Sequence, residues 1–230
     1  MSKSNPTYEP PEILINKFGA DAIRLYLMNS PLLKAEELKF KEEGVENVVK
    51  DVFLPRYNVY RFLLQNINRW EEDNGKAFVF DESLFEGENK FTNIMDRWIV
   101  ASNQDLIKYV RTELDNYRLY TVVEKKVKFL EQLSNWYLKL NRKRLKGSEG
   151  SEDWFTALNI LFKVLLNSML LMAPYVPFIV ETFYQNLRKC LKPGSAYLDE
   201  SIHFIQIPDF NEKLIDPELI DIVEKMQGMI

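Results

Sequence analysis

At 230 residues, with 46% hydrophobic and 28% charged content, the chain is large enough for one or two packed domains and is not a disordered composition. Eight glycines and ten prolines favour long helices over a turn-rich sandwich. The formal net charge of -4 argues against indiscriminate nucleic-acid binding, so any such contact must use a local patch. The single cysteine, Cys190, excludes an internal disulfide framework and fits a reducing compartment. With one histidine, His203, it cannot build a zinc site or a Cys/His nucleophile pair. The polar, proline-bearing N-terminus does not read as a signal peptide.

Taken in order, a polar loop leads to a short helix opening near Pro10 and Pro11 and closed by Gly19. A second helix is predicted over 20–28. Residues 31–40 read as an extended connector with a short strand near Leu38 and Phe40. From Glu42 to Glu72 the pattern is helical, with Pro55 expected to kink or divide it. Arg56 and Arg61 read as surface charge. Residues 73–91 form a connection with a short strand at Ala77–Phe80. A helix over 93–114 follows, with Trp98 in the core. Ser151 and Asp153 are candidate caps for the next helix. The stretch from Phe155 to Met172 is apolar on nearly every side and long enough to cross a membrane. Asn159, Lys163 and Asn167 draw a polar stripe along it, so it reads instead as the most buried helix of a bundle with one narrow wet edge. A kink at Ala173–Phe178 and a helix to about Leu191 come next, with Cys190 buried and inert. Ile202, Phe204 and Ile207 alternate as in a strand, with His203 exposed on it, and a last short helix spans about Glu218–Met226.

The informative stretch is Asn116–Gly147. Val123, Val127, Leu130, Leu133, Tyr137 and Leu140 recur in steps of three or four, the period of one helix face. Gly147 stands where a C-cap glycine would. Helical throughout, the stretch would be roughly 45 Å long. Lys139, Arg142, Lys143 and Lys146 fall on one face, Arg144 adds a fifth cation, and Trp136 and Tyr137 lie one turn upstream. Cations beside aromatic rings suit a flexible phosphate-bearing strand. Solvated charge at a helix C-terminus gives the same pattern.

Met1-Ser2-Lys3-Ser4, a proline loop and Phe18-Gly19-Ala20-Asp21-Ala22-Ile23-Arg24 resemble the segment that follows the active-site KMSKS loop of class I aminoacyl-tRNA synthetases. There, a short spacer and helix lead to Y-G-A-D-A-hydrophobic-R; Phe18 replaces the tyrosine. The leading lysine is absent because the chain begins at Met1, which implies a piece cut just inside the motif. The stretch Ser30–Asn66, together with MDRWIVA at 95–101, YRLYTVV at 117–123, NWYLKLNRKRLKG at 135–147 and LMAPYVPF at 171–178, resembles the isoleucine-specific branch in its eukaryotic cytosolic form. The resemblance runs to about Ile207 and weakens after it. Valine and leucine synthetases share the general pattern.

The resemblance implies an all-α architecture: the end of the KMSKS loop and a stem-contact connector over 1–41, an anticodon-binding helical bundle over 42–191, and the start of a C-terminal extension over 192–230. It implies a cytoplasmic enzyme that joins isoleucine to its tRNA using ATP, with magnesium. It also gives Lys3, with Met1, Ser2 and Ser4, a part in holding the ATP phosphates, where a mobile ammonium can meet developing charge. The HIGH-bearing catalytic domain and the inserted editing domain lie elsewhere in such enzymes. The expectation is therefore a non-catalytic tRNA-binding piece with no bound cofactor or metal and no membrane contact. By chemistry, the tRNA contacts are expected at Lys139, Arg142, Lys143 and Lys146, then Trp136, with Tyr117, Arg118 and Tyr120 at the other end of the site. The rival reading is a helical module that binds protein, favoured by the acidic net charge. Oligomeric state is left open.

Overall fold

The computed structural model describes residues 11–88 and 91–229. The readings placed on Met1, Ser2, Lys3 and Ser4 lie outside these residues. Among the described residues all regular elements are helical, as expected for an all-α bundle. The three short strands predicted at 38–40, 77–80 and 202–207 do not form. Residues 77–81 carry no regular structure and find no second strand among the described residues; Phe80 N–H donates to the Cys190 carbonyl at 2.8 Å. Residues 202–204 form a 3-10 turn instead.

Helices α1 (Pro11–Phe18) and α2 (Ala20–Met28) meet at Gly19. A connector with one 3-10 turn, Pro31–Lys34, leads to α3 (Glu42–Val48). The break expected at Pro55 takes the form of a π-helical turn, Val49–Phe53, directly upstream of α4 (Leu54–Asn74). Proline has no N–H for the preceding turn, and a wider turn accommodates the loss. Asn93 caps α5 (Ile94–Asp115), its Oδ1 accepting from Met95 N–H at 2.8 Å. Then come α6 (Leu119–Glu131), α7 (Ser151–Met172), α8 (Pro177–Leu187) and α9 (Pro217–Gly228). Neither Ser151 nor Asp153 caps α7. Its N-cap is Gly150, while Ser151 Oγ donates to Asn74 Oδ1 and Asp153 is drawn to Arg144.

Helix α7 is the centre of the bundle, packed on α4, α5 and α8. Its most apolar window has a mean hydropathy of 1.7, and 83% of that window is buried inside the fold, so its apolar surface is spent on packing. Burial at about 25 cal/mol per Å² makes such a helix the main source of stability. The polar stripe along it is not wet. Asn159 and Asn167 are 0% and 1% exposed. Asn159 Oδ1 accepts from Asp81 N–H at 2.7 Å, and Asn167 Nδ2 donates to Asn103 Oδ1 at 2.7 Å. Lys163 Nζ donates to the Tyr197 hydroxyl. Buried polar groups persist where partners meet them, and loops and α5 supply the partners here.

Arg56, expected on the surface, is 1% exposed, with Nη1 donating to Ser168 Oγ at 3.0 Å. Lys126 is equally deep and donates to the Leu171 carbonyl. Both cations lie against the C-terminal turns of α7, where the helix dipole is negative. Arg61 is exposed, as expected. Trp98 is fully buried and Cys190 is buried, its thiol pushed up to about 11 by desolvation.

Candidate nucleic-acid interface

Helix α6 does not run straight to Gly147. After Glu131 it passes through a π-helical segment, Gln132–Leu138, then a turn at 141–143 and a 3-10 turn, Arg144–Lys146. Gly147 closes it in the left-handed region, φ 87°. A π-helical turn holds more residues than an α-turn, so the apolar face slips out of register. Val123, Leu130, Leu133 and Tyr137 are buried as the periodicity predicts, but Leu140 is 62% exposed. Asn141, Arg144 and Leu145 point inward in its place.

Lys139, Arg142, Lys143 and Lys146 are all exposed. No carboxylate among the described residues forms an ion pair with any of them. They lie within one short exposed run on an otherwise acidic chain, Lys139 in a last α-helical turn, Arg142 and Lys143 in the turn after it and Lys146 in the 3-10 turn. Arg144 is not a fifth member. It is 4% exposed, with Nη1 2.6 Å from Asp96 Oδ2 and Nε donating to Asp153 Oδ2 at 2.6 Å. Asp96 also accepts from the Tyr137 hydroxyl at 2.8 Å. Burial raises the Asp96 carboxyl above its usual range, while Arg144 and Tyr137 oppose the shift.

Through Arg142, the basic run borders a groove between the start of α4 and the π-helical segment Gln132–Leu138. Asn58, Phe62, Ser134, Asn135, Leu138 and Arg142 line a cavity of about 360 Å³. Two π-helical turns flank it. Val49–Phe53 ends just before α4, and Gln132–Leu138 itself carries Ser134, Asn135 and Leu138. Such turns often mark functional positions, where the widened backbone re-aims side chains. The groove offers an aromatic edge, two carboxamides and a guanidinium, which suits a flat base attached to a phosphate. Sequence reasoning missed Asn58, Phe62, Ser134 and Asn135. The one available signal was the polar break that Asn58 and Asn135 make in otherwise apolar runs. Arg69 also stands at this end, its guanidinium 5.7 Å above the Trp154 ring.

Trp136 is half-buried and packs against the core, so part of its surface is taken up by packing. Arg118 is not brought to the basic run. It sits at the start of α6, roughly 30 Å away at 1.5 Å per residue. There Glu113 holds it in a two-pronged pair, Nε to Oε2 at 3.0 Å and Nη2 to Oε1 at 2.5 Å. The Arg118 bond keeps the Glu113 carboxyl below its usual range. Tyr117 stands beside it, 91% exposed with φ 58°. Asn29, Ser30, Lys34, Tyr109 and Tyr120 line a second cavity of about 390 Å³ at that end.

Curated proteins resemble the chain along its whole length. The isoleucine–tRNA ligase of Tetrahymena thermophila is 54% identical over 230 residues, all of this chain and 21% of that protein. The cytoplasmic isoleucine–tRNA ligase of Mus musculus is 47% identical over 232 residues, all of this chain and 18% of that protein. The chain thus spans about one fifth of the length of these relatives. Among solved structures, agnB2 LeuRS of Agrobacterium radiobacter K84, in a ternary complex with tRNA and LeuAMS, shares the fold. Its TM-score is 0.62 at 20% identity, over 94% of this chain and 23% of that one. A family model described as the anticodon-binding domain of tRNA ligase matches residues 96–230. That is more than half of the chain, and the chain belongs to the family of anticodon-binding domains of tRNA ligases.

Proposed function

We propose that this chain is the tRNA-binding portion of an isoleucine–tRNA ligase of the cytoplasm, and that the anticodon loop settles on the basic run at 139–146. The carrying observation is the run of exposed cations Lys139, Arg142, Lys143 and Lys146, none ion-paired with a carboxylate among the described residues, of which Arg142 lines a groove flanked by two π-helical turns. The cations meet phosphates, and the groove takes one unstacked base, with the Asn58 and Asn135 carboxamides reaching its edge. Trp136 lends its unpacked surface to the same site. Arg118 is a weaker contact, since a phosphate there must displace Glu113. The isoleucine relatives, at 54% and 47% identity, support isoleucine over valine or leucine.

On this reading residues 1–41 join the KMSKS loop to the bundle under the tRNA stem, 42–191 form the bundle, and 192–230 begin a further extension. The whole enzyme joins isoleucine to tRNA with ATP and magnesium. A pocket that distinguishes isoleucine from valine by one methylene gains only about 1–3 kcal/mol, which is why a separate editing domain accompanies the catalytic one. The residues that would meet ATP, Ser2 and Lys3 foremost, lie outside the described ones.

The test is binding of isoleucine tRNA across a salt series. Replacing Arg142, Lys143 and Lys146 together by Ala is expected to weaken binding and to flatten the log–log salt slope by roughly 2, at about 0.7 per phosphate contact. An unchanged slope removes the patch from the site and favours the protein-binding module. Asn58→Ala with Asn135→Ala is expected to narrow the preference for isoleucine tRNA over an anticodon-swapped transcript, with little change in slope.

A further inference from the structure

Of the five cations at 139–146, Arg144 alone is turned inward, and it is tied to three elements at once. Arg144 meets Asp96 of α5 and Asp153 in the first turn of α7. Asp96 in turn holds the Tyr137 hydroxyl in the π-helical segment. The next residue is fixed as well: the Leu145 carbonyl accepts from Trp154 Nε1 at 2.8 Å. On either side, Arg142, Lys143 and Lys146 point into solvent.

We infer that Arg144 is a positioning residue for tRNA binding. Through Asp96 and Asp153 it fixes the direction in which Arg142, Lys143 and Lys146 leave the bundle, and it touches no RNA itself. This rests on the reading that those cations meet tRNA phosphates. Two features set the arrangement apart from an ordinary buried ion pair. A pair this deep adds little net stability, because desolvation opposes the attraction; orienting the backbone is what it does well. Moreover, the Asp153 side chain is 32% exposed, beside a cavity of about 300 Å³ that it lines with Asp96, Arg144, Ser83, Thr92 and Thr156. A carboxylate at an RNA-binding end repels phosphate. Its presence is understandable if holding Arg144 matters more.

That repulsion makes the test decisive by sign. The probe is an isoleucine tRNA transcript, bound by the 230-residue chain at several salt concentrations. Asp153→Asn removes a negative charge next to the RNA, so Coulomb's law alone tightens binding. Positioning weakens it, by roughly fivefold or more. Arg144→Met is expected to lose at least as much, and Arg144→Lys to recover part, since an ammonium can still meet one carboxylate. With Arg142, Lys143 and Lys146 already replaced by Ala, neither Asp153→Asn nor Arg144→Met is expected to cost anything further. A purely structural role would weaken binding in both backgrounds and lower the thermal midpoint together with it. A weakened triple variant alongside unchanged or tightened binding by Asp153→Asn overturns the positioning role alone. An unaffected triple variant overturns the reading of the patch, and the positioning role with it. If Arg144→Met does not fold, Asp153→Asn carries the decision.

Discussion

The Asp21 carboxylate accepts a hydrogen bond from the Ile179 amide at 2.8 Å, across 158 positions of the sequence. One turn further along α2, Arg24 donates to the Pro174 carbonyl at 3.1 Å and to that of Tyr175 at 3.4 Å. A single turn of α2 therefore satisfies the exposed amides at the start of α8 and the orphan carbonyls beyond the end of α7. The Gly-Ala-Asp-Ala-Ile-Arg run, met in the sequence as a family resemblance, thus ties α2 to the corner between α7 and α8. Burial raises the Asp21 carboxyl above its usual range despite the backbone N–H groups that face it. Removing the charge but keeping the acceptor should thus be tolerated. Asp21→Ala is expected to lower stability by about 1–2 kcal/mol, as loss of a cap does, and Asp21→Asn by distinctly less. Urea midpoints of the two variants check this, and equal losses would show that the charge itself is needed.

Lys126 is 2% exposed, close to the equally buried Arg56, and burial followed by the Arg56 charge lowers its amine well below the usual range. What holds it is the Leu171 carbonyl and the face of Tyr175, 3.7 Å from the ammonium. Among the described residues no carboxylate pairs with it. Methionine has a similar length and no charge to desolvate, so Lys126→Met is expected to raise stability by about 1 kcal/mol. A lower thermal midpoint would mean that the ring and carbonyl contacts outweigh desolvation.

Much of the bundle was legible because hydrophobic period reports which side of a helix is buried. It placed α5, α7 and Trp98 correctly, and Gly147 marked a left-handed C-cap, though of the 3-10 turn Arg144–Lys146. Period alone assumes 3.6 residues per turn throughout, so the two π-helical turns were invisible to it. From that one gap came the misplacing of Leu140 and of Arg144. The polar residues of α7 failed for a different reason. Asn159 and Asn167 look like a solvent edge until Asp81 and Asn103, distant in sequence, prove to be their partners. Arg56 likewise reads as surface charge unless the end of α7 is known to lie over it. The cations of the candidate site were readable as a cluster, whereas the groove beside them depends on α4 and α6 touching, and a linear pattern does not encode that contact.

Lys163 adds a pH dependence. Its amine is enclosed by the rings of Phe80, Phe85 and Tyr197, the last 4.0 Å from the ammonium. Burial lowers it to about 8, against the small opposing pull of Glu82. Tyr197 is pushed up to about 12 by burial, so it stays protonated over the range that matters. In the unfolded chain the amine titrates near 10.4. Between about 8 and about 10.4 the unfolded chain therefore holds a proton that the folded chain has released, and this group makes stability rise with pH across that window. Below about 8 its full desolvation cost is present. Lys163→Met is expected to be the more stable protein at pH 7, with the difference from the parent shrinking toward pH 10. A difference that stays constant from pH 7 to 10 would show that the folded amine keeps its ordinary basicity.

Gly147 ends the basic turn under two separate constraints. Its φ of 87° strains any residue with a Cβ, and a Cβ there would lie 2.6 Å from Cε3 of Trp154. Gly75, at the end of α4, shares the first constraint without the second: φ is 63° and a Cβ would meet nothing within 4 Å. Comparing the two alanine variants isolates the steric part. Gly75→Ala is expected to cost about 1–2 kcal/mol for the left-handed backbone. Gly147→Ala is expected to cost more, because Trp154 is held by its bond to the Leu145 carbonyl and cannot withdraw without loosening the turn. That loosening also reaches Lys146, one residue away. Gly147→Ala should therefore weaken tRNA binding while Gly75→Ala leaves it unchanged, and chemical denaturation run beside the binding series would separate the two losses. Equal stability costs for the two glycines would mean that the indole moves aside freely, and that the turn is held by Arg144 without help from Trp154.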